Sequence, residues 1–218
     1  LEPLTRSQLQ LAQGRNLDVF TQAETIAAYR GVRDDLDRLT LALYCCELVD
    51  RFTAERAAQP RLYELLNETL EGLDAQAPLT VGRSFELQIL AQCGFELQLS
   101  NCAICAGPIP EQDTLFSAAA GGLVCDGCRG KAETGRILSV RAIKVLRFGR
   151  TATIGQFAGL RLEESLESEL QRALADAIRL VLDRETNSGR YLDALSQPLR
   201  EAKRAAPGHV QSSTPPSI

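Results

Sequence analysis

The first stretch of the chain alternates apolar and polar positions around a short polar turn. The alternation covers residues 9–12 and 17–21, on either side of the Gln-Gly-Arg-Asn sequence at residues 13–16. A period of two is typical of β-strands, so the pattern predicts a hairpin. Because a hairpin alone is marginally stable in water, we expect it to complete a sheet whose other strands precede Leu1.

From about Ala23 the apolar positions follow a helical period. Between Asp34 and Thr53 two apolar stripes run along nearly opposite sides, which indicates a helix packed on both flanks. One stripe contains Leu36, Leu39, Leu43 and Cys46, and the other contains Leu41, Cys45, Leu48 and Phe52.

Three more helices complete a mainly α fold, built as a helical bundle. Pro60 is at a position typical of a first helical turn, and one apolar stripe follows it, which predicts a helix covering the previous one. Another helix runs through Phe85 and Ile89 and ends at Gly94, and a long one spans about Leu162 to Glu185. The stripes of the first and last of these helices are Leu62, Leu66, Leu70 and Leu73, and Leu166, Leu170, Leu174, Ala177 and Val181.

Four of the seven cysteines form two Cys-x-x-Cys pairs, Cys102 with Cys105 and Cys125 with Cys128, separated by nineteen residues. Two such turns can supply the four thiolates of a tetrahedral structural zinc ion. Catalytic zinc keeps an open position and usually recruits histidine, whereas the single histidine, His209, lies in a Pro/Ser-rich tail. The spacing therefore predicts a closed zinc site. Two disulfides, or a redox dithiol, are the alternatives.

The cysteine pairs define an inserted module of two knuckles, residues 99–131, joined by a hairpin. Residues 114–116 are typical of a strand, Gly121 and Gly122 of a turn, and residues 123–124 of a returning strand. So short a segment buries little apolar surface, so we expect the metal to supply most of its stability. The helical core should then persist when the module loosens.

Composition indicates an ordinary globular protein: 218 residues, of which 44% are hydrophobic and 24% charged. No apolar run approaches the roughly 18–20 residues that span a bilayer, and the N-terminus lacks a signal pattern. We therefore expect a cytoplasmic protein without membrane partners. A reducing compartment would leave Cys45, Cys46 and Cys93 as small buried hydrophobic residues.

Basic residues concentrate in residues 129–150, which contain seven of them and a single acid, Glu133, although the whole chain has 24 basic and 28 acidic residues. A localised basic segment next to a zinc knuckle indicates an anion site, and nucleic-acid phosphate is the common polyanion. Alternatively, the segment is a solvated face paired with acids at residues 163–167. The candidate DNA-binding residues are Arg129, Lys131, Arg136, Arg141, Lys144, Arg147 and Arg150, the last four on a helix that Ser139 would cap.

Enzymatic function has little support in the sequence. The chain has no phosphate-binding or dinucleotide-binding glycine motif, no Gly-x-Ser-x-Gly motif, and no histidine near a serine or cysteine nucleophile. The acidic pair Glu163 and Glu164 lies on the polar face of an amphipathic helix, where it solvates the surface. We expect a binding protein that does not catalyse a reaction.

Several stretches, in this order, resemble the RecO family of bacterial recombination-repair mediators. They are Ala-Leu-Tyr-Cys-Cys-Glu-Leu-Val-Asp at residues 42–50, Gln-Pro-Arg-Leu-Tyr-Glu-Leu-Leu at 59–66, Phe-Glu-Leu-Gln-Ile-Leu at 85–90 with Gly94, the two knuckles with the glycine pair before the second, and Gly-Arg-Tyr-Leu at 189–192. The likeness covers roughly residues 10–195.

The resemblance implies an N-terminal OB-fold β-barrel, of which residues 1–22 would be the remnant, and a helical domain in two parts (23–98 and 132–196) around the zinc module. The Pro/Ser-rich residues 197–218 are expected to form a disordered tail. It also implies a protein that binds single- and double-stranded DNA, anneals complementary strands, and acts with RecR and single-strand-binding protein to help RecA load. Two other functions stay open: a zinc-stabilised helical adaptor that binds only proteins, and a thiol-disulfide or chaperone activity at the cysteine pairs.

Overall fold

The structure is a computed structural model that describes residues 2–14, 18–53, 58–75 and 77–182. Several sequence features lie outside the described residues: the end of the long C-terminal helix at Glu185, the Gly-Arg-Tyr-Leu motif at 189–192, and the tail at 197–218. The elements are β1 (Arg6–Ala12), β2 (Val19–Ala27), α1 (Arg30–Arg33), α2 (Leu36–Phe52), α3 (Pro60–Asp74), α4 (Val81–Gln92), β3 (Thr114–Ser117), β4 (Gly122–Val124), a 3-10 helix (Asp126–Lys131), β5 (Arg136–Leu138), α5 (Val140–Gly149), α6 (Ile154–Ala158) and α7 (Glu164–Leu182).

The predicted N-terminal hairpin is present, since β1 and β2 pair in antiparallel register from Arg6 opposite Ala27 to Ala12 opposite Val19. The change to a helical period at Ala23 was predicted too early, because residues 23–27 remain in β2 and include the β-branched Thr25 and Ile26. The expected OB-fold remnant is a two-stranded sheet only, and the described residues contain no closed barrel.

The helical bundle forms around α4, which packs against α3, α5, α6 and α7 and is buried along most of its length. Phe85 and Ile89 are fully buried there, and α4 ends before Gly94, whose φ of +88° suits glycine. The stripes predicted for α3 and α7 are confirmed, because both helices direct their stripe residues into the same core.

The prediction that α2 packs on both flanks is wrong. Leu41, Cys45 and Leu48 are buried against α3 and α4, whereas Leu36 is 59% exposed and Leu43 is 44% exposed. A helix needs only one apolar face for burial, and isolated exposed leucines are common on protein surfaces.

Four short elements were not predicted: α1, the 3-10 helix, the three-residue β5 and α6. The sequence does signal α6: Thr153 accepts a hydrogen bond from the backbone N–H of Gln156, and the Gln156 side chain accepts one from the Thr153 N–H, which together form a capping box.

The two strands of the module, β3 and β4, form a sheet with β5, which follows the module, in the order β4-β3-β5. The two faces of this sheet have different neighbours. Phe116, Leu123 and Leu138 on one face belong to the main hydrophobic core. Val124 on the other face packs with Cys102 and Cys128. As expected, the module has little core of its own, with only Cys102, Val124 and Cys128 buried together. It is not separate from the bundle, however, because alternate side chains of the same strands complete the core of the bundle.

Candidate metal centre and basic surface

The first knuckle is a tight turn that follows directly from the bundle. The Cys102 N–H donates to the Gly107 carbonyl oxygen (2.7 Å), and the Ala106 N–H donates to the Cys102 carbonyl oxygen (2.8 Å). Ala106 adopts a left-handed conformation (φ +58°), which reverses the chain after Cys105. The turn directs the sulfurs of Cys102 and Cys105 to one side.

The second knuckle starts at the end of β4 and continues into the Asp126–Lys131 3-10 helix. The Cys128 N–H donates to the Cys125 carbonyl oxygen (2.9 Å), which closes the turn between the two cysteines. The Gln112 side chain donates to the Asp126 carboxylate (3.0 Å) and so ties the knuckle to the loop before β3.

The four cysteine sulfurs meet at one point, with all Sγ atoms within 4.8 Å of one another. The Sγ atoms of Cys105 and Cys125 lie 3.7 Å apart. A tetrahedron with zinc–sulfur bonds of about 2.3 Å has sulfur–sulfur edges of about 3.8 Å. The cluster thus has the size, the donor type and the number of ligands that a structural zinc ion needs.

The cluster lowers the pKa of the Cys102 thiol and raises the pKa of the Cys128 thiol. Burial raises the pKa of Cys102, but hydrogen bonds from the backbone N–H groups of Cys125, Cys105 and Ile104 outweigh it and bring the pKa to about 6. A hydrogen bond with Cys105, together with burial, raises the pKa of Cys128 to about 12. One thiolate is already favoured without a cation, and a divalent cation would displace the remaining protons.

Most of the seven predicted DNA-binding residues have partners within the chain. Arg147 donates to the Leu99 carbonyl oxygen (2.8 Å), which connects α5 to the segment before the first knuckle. Four others form ion pairs: Arg136 with Asp176, Arg141 with Glu163, Lys144 with Glu111, and Arg150 with Glu96. The alternative interpretation, a solvated and paired face, thus describes much of the α5 stripe.

The remaining two, Arg129 and Lys131, are exposed on the second knuckle and have no acidic partner among the described residues. Glu163, the partner of Arg141, is one of the acids that the alternative interpretation named. Glu96 and Glu111 lie at distant positions, and sequence spacing gave no signal for them. Ser139 caps α5 as predicted, since its hydroxyl accepts from the Ala142 N–H (3.2 Å).

The described part of the chain contains no helix that is both long and apolar enough to cross a membrane.

Comparisons with known proteins agree with this architecture. Residues 33–190 match the family model described as Recombination protein O C terminal. A DNA repair protein RecO from Dehalococcoides mccartyi is 35% identical over 199 residues, which cover 90% of this chain and 78% of the relative. The DNA repair protein RecO of Roseiflexus sp. is 33% identical over 209 residues, 95% of this chain and 74% of the relative. That of Geobacter metallireducens is 32% identical over 193 residues, 88% of this chain and 77% of the relative. The chain belongs to the RecO family of DNA repair proteins.

Proposed function

We propose that the chain is a recombination-repair mediator that binds single- and double-stranded DNA and anneals complementary strands. It acts with RecR and single-strand-binding protein to help RecA load, works in the cytoplasm and catalyses no reaction. The family match over residues 33–190 carries the proposal, since it places the chain among DNA repair proteins.

The four clustered cysteines would hold one structural zinc ion. Their geometry supports this assignment, because it matches the size of a four-thiolate zinc site, and a closed site leaves no position for a substrate. Metal analysis of protein purified without added zinc should give one zinc ion per chain. Cys128→Ser should lose the metal, whereas Cys93→Ser, outside the cluster, should keep it. An ordered, metal-free module with two disulfides would contradict the assignment.

The DNA surface would centre on Arg129 and Lys131, because these exposed cations need not give up an acid to bind phosphate. The exposed pairs Arg141–Glu163 and Lys144–Glu111 extend the surface, since solvent screens exposed ion pairs and leaves them weak enough to be exchanged for phosphate. Arg136 and Arg147 form part-buried hydrogen bonds, so they would act on DNA mainly through the longer-range attraction of their positive charge. Arg150 forms an exposed ion pair with Glu96 and lies at the edge of the surface.

Fluorescence anisotropy with single-stranded oligonucleotides tests this surface. Each phosphate contact on single strands contributes about 0.7 to the slope of log affinity against log salt. The double variant Arg129→Glu with Lys131→Glu should flatten the slope by about 1.4 for two contacts and weaken binding without regard to base sequence. A matched charge reversal at Arg30 and Arg61, exposed residues of α1 and α3, should leave the slope unchanged. Equal effects of the two double variants would contradict this placement.

A protein-only adaptor is the second candidate, and it is favoured by the internal pairing of Arg136, Arg141, Lys144 and Arg150. The same titration separates the two functions. A metal-loaded chain without salt-dependent DNA binding would support the adaptor.

A further inference from the structure

The four thiols of the metal centre differ in their access to solvent. Cys102 and Cys128 are buried, with 1% and 5% of their surface exposed, whereas Cys125 is half-buried and Cys105 is exposed. The difference comes from the turns: Cys102 lies beneath the Cys125 N–H, which points at its sulfur (3.4 Å), and Cys105 lies at the outer end of its turn before Ala106.

The two more accessible sulfurs belong to different knuckles and are neighbours. Cys105 and Cys125 have their Sγ atoms 3.7 Å apart. A disulfide bond is about 2.05 Å long, so the two sulfurs need to approach by roughly 1.7 Å. Within either knuckle, by contrast, each Cys-x-x-Cys pair joins a more accessible thiol to a buried one.

We propose that Cys105 and Cys125 form an oxidation site for peroxides, at which a disulfide between the two knuckles replaces two metal ligands and releases the metal. This inference rests on the proposed function in one respect: it requires a metal ion bound by the four thiolates. Because Cys105 and Cys125 are the accessible thiols, oxidants reach the metal centre from their side of the cluster.

The chemistry needs one peroxide molecule as the oxidant and two protons from water. The Cys105 sulfur attacks a peroxide oxygen, the O–O bond breaks, and the products are a sulfenic acid and, after protonation, water. The Cys125 sulfur then attacks the Cys105 sulfur, so the S–S bond forms and the S–O bond breaks with loss of a second water. In total two thiolates, two protons and hydrogen peroxide give one disulfide and two waters, and the sulfurs supply two electrons to the peroxide.

Only two thiolates then remain for the metal, those of Cys102 and Cys128. Two ligands do not close a tetrahedral site, so the ion leaves. A thiol reductant restores both sulfurs, because a disulfide is reversible whereas sulfinic acid is not.

The three other cysteines do not compete for the oxidant. Cys45 is fully buried in α2, and Cys46 and Cys93 are partly buried. Burial raises the pKa of all three thiols, which keeps them in the unreactive protonated form.

Hydrogen peroxide titration of the metal-loaded full chain tests the proposal. A chromogenic chelator follows zinc release, and mass spectrometry of unreduced peptides maps the first disulfide at half release. We expect zinc and the Cys105–Cys125 disulfide to appear in equal amounts, and dithiothreitol with added zinc to reverse both. Cys93→Ser should leave the release rate unchanged.

A first disulfide within a knuckle, Cys102–Cys105 or Cys125–Cys128, would overturn the proposal, as would zinc retention after oxidant has consumed other cysteines. Protein that contains no zinc when purified would instead overturn the metal assignment. In that case the map of the first disulfide in the metal-free chain still decides which thiols pair, so the two failures are distinguishable.

Discussion

The attachment of the knuckles to the helical bundle can be tested at Gly122. This residue starts β4 with φ of +157°, and a Cβ built on it would lie 2.2 Å from the Gln98 carbonyl oxygen. Gln98 lies on the segment that leads from α4 to the first knuckle. Its N–H donates to the Gly121 carbonyl oxygen (2.9 Å), and its own carbonyl oxygen accepts from the Leu123 N–H (2.9 Å). Gly122→Ala must therefore separate this segment from β4.

The loss in the free energy of unfolding follows from the contacts that Gly122→Ala removes and the strain that it adds. Two backbone hydrogen bonds contribute about 1 kcal/mol each. The positive φ adds about 1–2 kcal/mol of backbone strain for a residue with a Cβ. The free energy of unfolding should fall by about 3–4 kcal/mol. Gly121→Ala is the matched control, because its φ is +80° and a Cβ there would meet nothing within 4 Å. Gly121→Ala should lower the free energy of unfolding only by the backbone strain of its positive φ.

Urea denaturation of the two zinc-loaded variants measures the difference between their free energies of unfolding. This difference should be about 2 kcal/mol. Gly122→Ala should also lose zinc to a chelator faster, since the first knuckle begins four residues after Gln98. Equal stability of the two variants would show that the Gln98 contact does not hold the module, and the reasoning from the close approach would be refuted.

Buried groups and thiols provide further tests. Leu123→Ala should lower the free energy of unfolding by about 2–5 kcal/mol in denaturant titrations, because Leu123 is fully buried in the main core. Glu86→Gln should cost about 3–5 kcal/mol by the same measurement, since Glu86 is 1% exposed and the neutral amide removes the buried ion pair with the Arg83 guanidinium (3.1 Å). In metal-free protein at pH 8, iodoacetamide should modify Cys105 and spare Cys45 in peptide maps, because burial raises the pKa of Cys45 and less of it is thiolate.

The features that could be predicted from the sequence depend on local spacing. Two cysteines separated by two residues share one turn, so Cys102 and Cys105 could be assigned to one site before any tertiary contact was known. The stripes of α3 and α7 follow from helical periodicity in the same way. The glycine pair signalled a turn, but only the structure shows that Gly122 is the position where another backbone approaches.

Features that depend on which elements meet could not be predicted. The spacing of Leu36 and Leu43 predicted a buried stripe on α2. The neighbouring helices, however, cover only the other face of α2. Likewise, Arg150 and Lys144 find their partners at Glu96 and Glu111, tens of residues away in sequence. Long-range pairing is set by topology, which no local pattern encodes.

The sheet shared by the knuckles and the bundle determines which parts of the protein a metal ion at the four cysteines would stabilise. If the knuckles were a separate satellite, the metal would stabilise them alone, and the bundle would tolerate its loss. Instead β3 and β4 bury Phe116 and Leu123 in the main core while their other face carries Val124 beside Cys102 and Cys128. Because successive residues of a strand point to opposite faces, movement of the metal side displaces the core side as well. The four-cysteine cluster, with the metal ion that it could hold, is therefore part of the framework that holds the second knuckle and the bundle in one arrangement.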